Sequence, residues 1–218
     1  MTRSTTRRQE LADAAIATLA RSGTRGLTHR AVDQAAGVPE GSCSYYFRTR
    51  QALLQAAIER LVEVDSADLT SHPAVLGGAG DPDAIADAAV DVVAHWIGAS
   101  RERMLARYEL MLEASRNPEL QAVFTAARDH YRALAADTLR ALGATDPEGQ
   151  AQLFIACLDG LVFRHLTGAD PLTASRGEQR RVMRDLLRGF TRPAGDDAGE
   201  AEAAPGKPSG NRTRGTPR

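Results

Sequence analysis

Apolar residues in this chain recur every three to four positions and almost never every two, and that period decides what it can fold into. Leu11, Ala15, Ile16 and Leu19 share one side of a helix, as do Leu54, Ile58 and Leu61. The same spacing returns in Met104, Tyr108 and Met111, and again in Phe124, Ala127, Tyr131 and Leu134. Such a stripe buries one face of an α-helix, whereas a half-buried strand needs strict alternation. No alternating Val, Ile and Thr run is long enough for a strand. Start signals punctuate the stripes. Asp81-Pro82, Asn117-Pro118 and Asp146-Pro147 each set a capping side chain before a proline whose fixed φ suits a first helical turn. Ser100 can cap a helix over Arg101–Ala114, and Ser175 and Glu178 have the spacing of a capping box. The expectation is an all-α fold of about nine helices.

With 218 residues the chain has ample length for a core, as one domain or two small ones. Its formal charge is only −1, which excludes a globally basic nucleic-acid coat protein. The charge is uneven, however. Residues 1–50 carry eight Arg against four acids, so a basic head of +4 sits on a body of −5. That asymmetry suggests a local contact with a polyanion. Two cysteines, Cys43 and Cys157, are too few for a disulfide framework and match no metal spacing. Asp13 and Arg21 interrupt and flank the apolar start too closely for a signal peptide, and no run approaches the ~18 apolar residues of a membrane span. A soluble cytoplasmic protein without membrane contact, metal or cofactor is expected.

Three segments are expected: a basic head over 1–50, a helical body over 51–191, and a disordered tail over 192–218. The tail is Pro, Gly, Ala and charge, with nothing to bury. Gly77–Gly80 reads as a loop between helices.

The segment that speaks to function is 28–47. A short helix can start at Thr28 and stop at Gly37, with Gly37 in the left-handed turn and Val38 packing inward. Pro39 then suits the first turn of a second short helix. Two short helices joined by a tight turn are the helix-turn-helix arrangement. The second exposes small residues, Glu40, Gly41, Ser42 and Ser44, which would let its backbone enter a major groove about 12 Å wide. Tyr45 and Tyr46 follow, able to reach phosphates or thymine methyls, and Phe47 is expected to plug the head. Arg3, Arg7 and Arg8 on one side, and Arg30, Arg48 and Arg50 around the unit, supply phosphate attraction.

From about residue 8 to 62 the sequence resembles the TetR family of bacterial transcriptional regulators. The resemblance is carried by the first amphipathic helix, Gly23…Gly26-Leu27-Thr28, Val32…Ala35-Ala36-Gly37-Val38, Gly41-Ser42, Tyr45-Tyr46-Phe47 and Arg48-Thr49-Arg50-Gln51-Ala52-Leu53-Leu54. It implies a homodimer with a three-helix DNA-binding head over 1–50 and a ligand-binding, dimerising body over 51–191, and a repressor released from double-stranded DNA by a small-molecule effector. By position, Arg30, Glu40, Gly41, Ser42, Ser44 and Tyr46 match the family's groove-facing places, and Thr28, Tyr45 and Arg50 its phosphate-contacting places. Two residues depart from the pattern: Cys43 where an aliphatic is common, and Ser44 where a tyrosine is common. The second removes a large contact from the middle of the recognition helix.

In the body, His95, Trp96, Met104, Arg107, Tyr108, Met111, Phe124 and Tyr131 belong to the helices that form this family's pocket, and about half of them are expected to line it. Core packing is the default for the aromatics among them. An apolar or aromatic ligand suits these residues better than a highly charged one. Ala156 and Gly160, four apart, offer a close-approach surface; with Met183, Leu186, Leu187 and Phe190 they match the family's four-helix dimer interface, the alternative being packing within one chain. Cys43 reads as a small packed residue rather than a redox sensor.

An enzyme is the competing class, and its signatures are missing from the sequence: no phosphate loop, no His-Glu-x-x-His, no Gly-x-Ser-x-Gly, and no catalytic residues to name. A DNA-binding protein without an inducer is a further alternative. Its body would be filled completely by side chains.

Overall fold

The computed structural model describes residues 3–72, 81–168 and 175–191. The expected Gly77–Gly80 loop and the 192–218 tail lie outside them. Among the described residues there are nine helices and no strand: α1 (Arg3–Gly26), α2 (His29–Ala36), α3 (Ser42–Tyr46), α4 (Arg50–Thr70), α5 (Pro82–Ile97), α6 (Arg101–Ala114), α7 (Pro118–Ala141), α8 (Pro147–Leu166) and α9 (Arg176–Thr191).

The capping residues act much as their chemistry dictates. The side chains of Asp81, Asn117 and Asp146 accept first-turn amides of α5, α7 and α8, each followed by its proline. Ser175 and Glu178 form the reciprocal box at α9, the Ser175 amide donating to Glu178 Oε2 at 2.8 Å and the Glu178 amide to Ser175 Oγ at 3.4 Å. Ser100 differs from expectation: its hydroxyl makes no cap and meets His95 Nε2 at 2.8 Å instead.

Two apolar clusters hold the chain together. The first gathers Leu11 and Leu19 of α1, Val32 of α2, Cys43 and Phe47 around α3, and Leu53, Leu54 and Ile58 of α4. Ala106 and Leu110 of α6 and Leu120 of α7 belong to the same cluster, so head and body share one core across residue 50. The second cluster joins α5 to α9 through Ile85, Val93, Met104, Leu139, Phe154, Met183, Leu187 and Phe190. Burying a side chain of this kind stabilises the fold by about 1.5–3 kcal/mol.

α1 is broken at Gly23 (φ 63°, ψ −174°), a backbone region essentially closed to residues with a Cβ. The break leaves the next peptide free for outside partners. The Thr24 amide donates to Glu109 Oε2 of α6 at 3.3 Å, while Arg50 of α4 donates to the Thr24 and Leu27 carbonyls at 2.6 and 2.7 Å. The end of the first helix is thereby clamped to both α4 and α6.

α9 lies against α5 through a ladder of ion pairs as well as its apolar face. Arg176, Arg180 and Arg184 meet Asp91, Asp87 and Asp83 at 2.6, 2.7 and 2.8 Å, in four-residue steps that run opposite ways along the two helices. This docking settles a point about the expected dimer face. Met183, Leu187 and Phe190 are buried inside their own chain, and Leu186 is half-buried against the same cluster, so the first three are core residues rather than surface ones. The α9 stripe at steps of four and three points inward because that is the face toward α5 and α8. What remains exposed is Leu153, Ala156, Gly160 and Phe163 along α8, and Val182 on α9. Nothing approaches within 4 Å of the space a Cβ on Gly160 would fill.

Candidate nucleic-acid interface and ligand cavity

Thr28 caps α2 by accepting the Ala31 amide at 3.1 Å, and Gly37 closes it at φ 64°. The expectation that Pro39 opens the second helix is corrected. Pro39 lies in a turn, Gly41 adopts φ 92°, and α3 begins only at Ser42. A residue not singled out from sequence fixes that start. Asp33, buried on the inner face of α2, accepts the Gly41 amide through Oδ2 and the Cys43 amide through Oδ1, both at 2.7 Å. These amides would otherwise be unpaired first-turn donors. The only available signal was an acid directly after the buried Val32. His29 Nε2 sits 2.7 Å from the Phe47 carbonyl and steadies the other end of α3.

Around this frame the expected DNA contacts divide. Tyr45 is 79% exposed, and Ser44 is exposed beside it. Ser42 is half-buried and donates its hydroxyl to the Pro39 carbonyl at 2.6 Å. Arg30 and Glu40 are exposed and pair at 3.7 Å, a surface contact that costs little to exchange for a phosphate. Tyr46, expected like Tyr45 to reach DNA, is half-buried against the head's core; Phe47 is buried as expected. Arg50 is not a free phosphate ligand, because two of its donors hold the Thr24 and Leu27 carbonyls. The basic N-terminal arm is helical from Arg3 onward. Arg7 pairs with Glu10, and Arg8 donates to the Tyr46 carbonyl at 3.2 Å with its guanidinium 4.7 Å above the Phe47 ring. Cys43 is fully buried. Burial, with the Asp33 charge adding to it, pushes its thiol up to about 11, so no reactive thiolate exists near neutral pH.

The body contains a cavity of about 450 Å³ walled by α4, α6, α7 and α8. Of the eight residues expected there, Arg107, Met111, Phe124 and Tyr131 line it, while Trp96 lines a smaller adjoining cavity of about 90 Å³ together with Arg107 and Tyr131. Met104 is buried core instead, His95 sits outside at Ser100 and Asp68, and Tyr108 packs edge-on against Phe163.

A buried charge cluster sits in the wall. Asp65 has no exposure; Arg107 Nη1 lies 3.2 Å from its Oδ2 and Arg103 Nε 3.1 Å from its Oδ1, and Tyr131 donates to Oδ2 at 3.4 Å. Arg103 also pairs with Asp68, and Arg107 Nη2 reaches Asp159 Oδ1 at 3.6 Å. Arg107 further lies 5.1 Å over the Tyr131 ring. Three carboxylates thus face two guanidinium groups within the cluster, and the exposed Arg128 adds a third guanidinium to the cavity lining, so the charges balance when all are ionised. Asp159 is the least well paired: its side chain is one-third exposed, and Arg107 is its only ion-pair partner among the described residues. Burial raises the pKa of both Asp65 and Asp159, and Arg107 pulls each back in part. Burial likewise raises the Tyr131 and Tyr108 hydroxyls, which stay protonated donors. No group of three His, Cys, Asp or Glu among the described residues could hold a metal, and no described helix is long and apolar enough to cross a membrane.

A three-helix head with a helix-turn-helix, fused through a shared core to a helical body with a cavity, defines a class of DNA-binding regulators with a ligand-binding domain. The chain belongs to the TetR family. Residues 11–57 match the family described as bacterial regulatory proteins, tetR family, and residues 80–193 match the tetracyclin repressor-like C-terminal domain. Among solved structures, a TetR-family member from Streptomyces coelicolor A3 is 33% identical, with TM-score 0.66, covering 83% of this chain and 97% of that one. The multidrug binding protein EbrR complexed with imidazole is 32% identical, with TM-score 0.66, covering 89% and 96% respectively. EbrR complexed with proflavin is 33% identical, with TM-score 0.59, covering 83% and 99%. No curated protein matches the sequence. Members of this family are DNA-binding transcriptional regulators rather than enzymes; they act as dimers and bind small-molecule ligands.

Proposed function

We propose that this protein is a repressor that binds a palindromic operator as a homodimer and is released from it by an aromatic cation held in the larger cavity. The observation that carries the reading is the cavity of about 450 Å³ with Phe124 and Tyr131 in its walls and the under-paired Asp159 beside them. A body without an inducer would be filled by side chains. An aromatic face and the weakly paired Asp159 carboxylate together attract a flat cation, by stacking and by local charge, with Arg128 elsewhere in the lining. The likeness to EbrR, whose structures hold proflavin, ethidium and malachite green, supports the same ligand chemistry here.

On the DNA side, the head, about residues 1–50, would set α3 in a major groove. Ser44 and Tyr45 would face the bases and backbone, with Arg30 and Arg48 on phosphates. Glu40, Gly41, Ser42, Tyr46 and Thr28 would shape and position that helix. The exposed α8 stripe through Ala156 and Gly160, flanked by Val182 of α9, would form the dimer face. A ligand held by α6 and α7 would act on the head through α4 and through the Glu109–Thr24 contact, to the extent of its differential affinity for the two dimer shapes.

The test is release of a labelled operator by malachite green, followed by fluorescence polarisation and compared with Asp159→Asn. Release by wild type at dye concentrations where the variant stays bound supports the reading and controls for dye binding to DNA. Equal release from both, or none from either, contradicts it.

A further inference from the structure

The charges around the larger cavity cancel in number but not in pairing. Asp159 lies in the inner wall, which the smaller cavity shares, and has only Arg107, at 3.6 Å, as an ion-pair partner among the described residues. Arg128 lines the larger cavity alone and is exposed, so it stands at the mouth. Its guanidinium has no hydrogen-bond or ion-pair partner among the described residues. Its own helix cannot supply one, because the residues three and four positions away are Phe124, Thr125, Tyr131 and Arg132, none of them acidic. Phe124, Arg128 and Tyr131 follow one another at steps of four and three on one face of α7, and all three line the cavity. At about 1.5 Å of rise per residue, Arg128 lies about 4.5 Å along the helix from Tyr131 and about 6 Å from Phe124. A flat ring resting on these aromatics thus has a carboxylate toward the interior and a guanidinium toward the solvent. A simple cation answers only the first, and it brings like charge toward Arg128. A ligand carboxylate at the mouth would engage the guanidinium fork in two parallel hydrogen bonds.

From this arrangement we propose that the larger cavity is built for an aromatic zwitterion, whose cationic ring system meets Asp159 and whose carboxylate meets Arg128 at the mouth. The proposal deepens the aromatic-cation reading above and rests on it. Arg128 is then a specificity-determining residue: it separates ligands that carry both charges from simple cations, which use the Asp159 end alone.

The test uses two dyes with one cationic xanthene ring system, the unalkylated rhodamine with its free carboxylate and the methyl ester of the same rhodamine. Each is titrated into the full-length protein near neutral pH and followed by fluorescence polarisation. Wild type is expected to bind the acid about fivefold more tightly than the ester. Arg128→Gln should bring the two within about twofold of each other, with the ester slightly tightened by loss of a repelling charge, and Arg128→Lys should keep most of the preference. Arg128 is exposed, so these variants are expected to unfold as wild type does. Asp159→Asn should weaken both dyes and leave their ratio in place. Equal binding of acid and ester by wild type would overturn the proposal, as would a preference for the acid that survives Arg128→Gln. Failure of the parent reading looks different: Asp159→Asn then binds both dyes as tightly as wild type, while the ratio still decides whether Arg128 holds an anionic end. A wild type that binds neither dye overturns both.

Discussion

Asp33 Oδ1 accepts the amide of Cys43 at 2.7 Å, tying the middle of α2 to the first turn of α3. With the Gly41 amide on its other oxygen, the carboxylate does for the recognition helix what a side-chain N-cap usually does, and does it from a different helix. Gly41 itself has no side chain to cap with. A five-residue helix is far below the length that is stable alone, so its position depends on this bond pair and on Phe47 and Cys43 in the core.

Asp33→Ala is therefore expected to cost about 2–3 kcal/mol in urea unfolding, since the buried Cys43 amide and the part-buried Gly41 amide lose a charged acceptor. Operator affinity should fall by at least about tenfold even where the variant is folded. Asp33→Asn should not rescue it, because the amide group turns a donor toward one of the two N–H groups. A loss below about 0.5 kcal/mol would show that α3 is held by its apolar residues alone.

Gly23→Ala tests the joint between head and body. The new Cβ would sit 3.2 Å from Glu109 Oε2, in a backbone region that only glycine enters readily. The expected outcome is a destabilisation of about 1–3 kcal/mol by thermal or chemical unfolding. Glu109→Gln keeps an acceptor for the Thr24 amide and should cost much less.

Cation binding should depend on pH with a definite sign. Burial raises the Asp159 pKa above its ordinary value, against the partial pull of Arg107. The ligand cation needs the ionised carboxylate, so affinity is full above that raised pKa and falls as pH drops through it, by up to about tenfold per unit. Ethidium titrations on the protein alone, across the acidic range, should show this fall in wild type. Asp159→Asn should bind more weakly and lack the Asp159 contribution, while Asp65, more deeply buried between two arginines, should leave only a shallow residual slope.

The ladder between α5 and α9 predicts a swap. Arg180→Glu places like charges at Asp87 and should cost about 1 kcal/mol; adding Asp87→Arg should restore most of it. The pairs are partly exposed, so ~1 M salt should shrink both effects. An unrestored double variant would mean that α9 is docked by Met183, Leu187 and Phe190 only.

The helical class and most helix starts were legible in the sequence because caps and prolines act locally: Asn117 or Asp146 needs only its own first turn to be read. Contacts between distant helices were not. Arg50 looks like any basic residue beside a DNA-binding helix until the Gly23 break brings the Thr24 and Leu27 carbonyls to it. Asp33 looks like a solvated acid until Gly41 turns two amides toward it. Met183, Leu187 and Phe190 form an apolar stripe that periodicity detects, but periodicity does not say whether the partner helix belongs to the same chain. The cavity shows the same limit. Phe124 and Tyr131 were anticipated on family position, whereas Asp65 and Asp159, which set its electrostatics, lie on α4 and α8 and carry no local signal.

The most direct test of the account is binding of the full-length protein to DNA flanking its own gene, titrated with salt and challenged with excess nonspecific competitor. The account predicts a complex that survives competitor, contains one or two dimers on a palindromic site, and weakens steeply as salt rises. Tyr45→Ala should weaken that complex, and unfolding should be little changed because Tyr45 is exposed. Absence of any complex even at low salt would contradict the assignment of α3 as a DNA-reading helix.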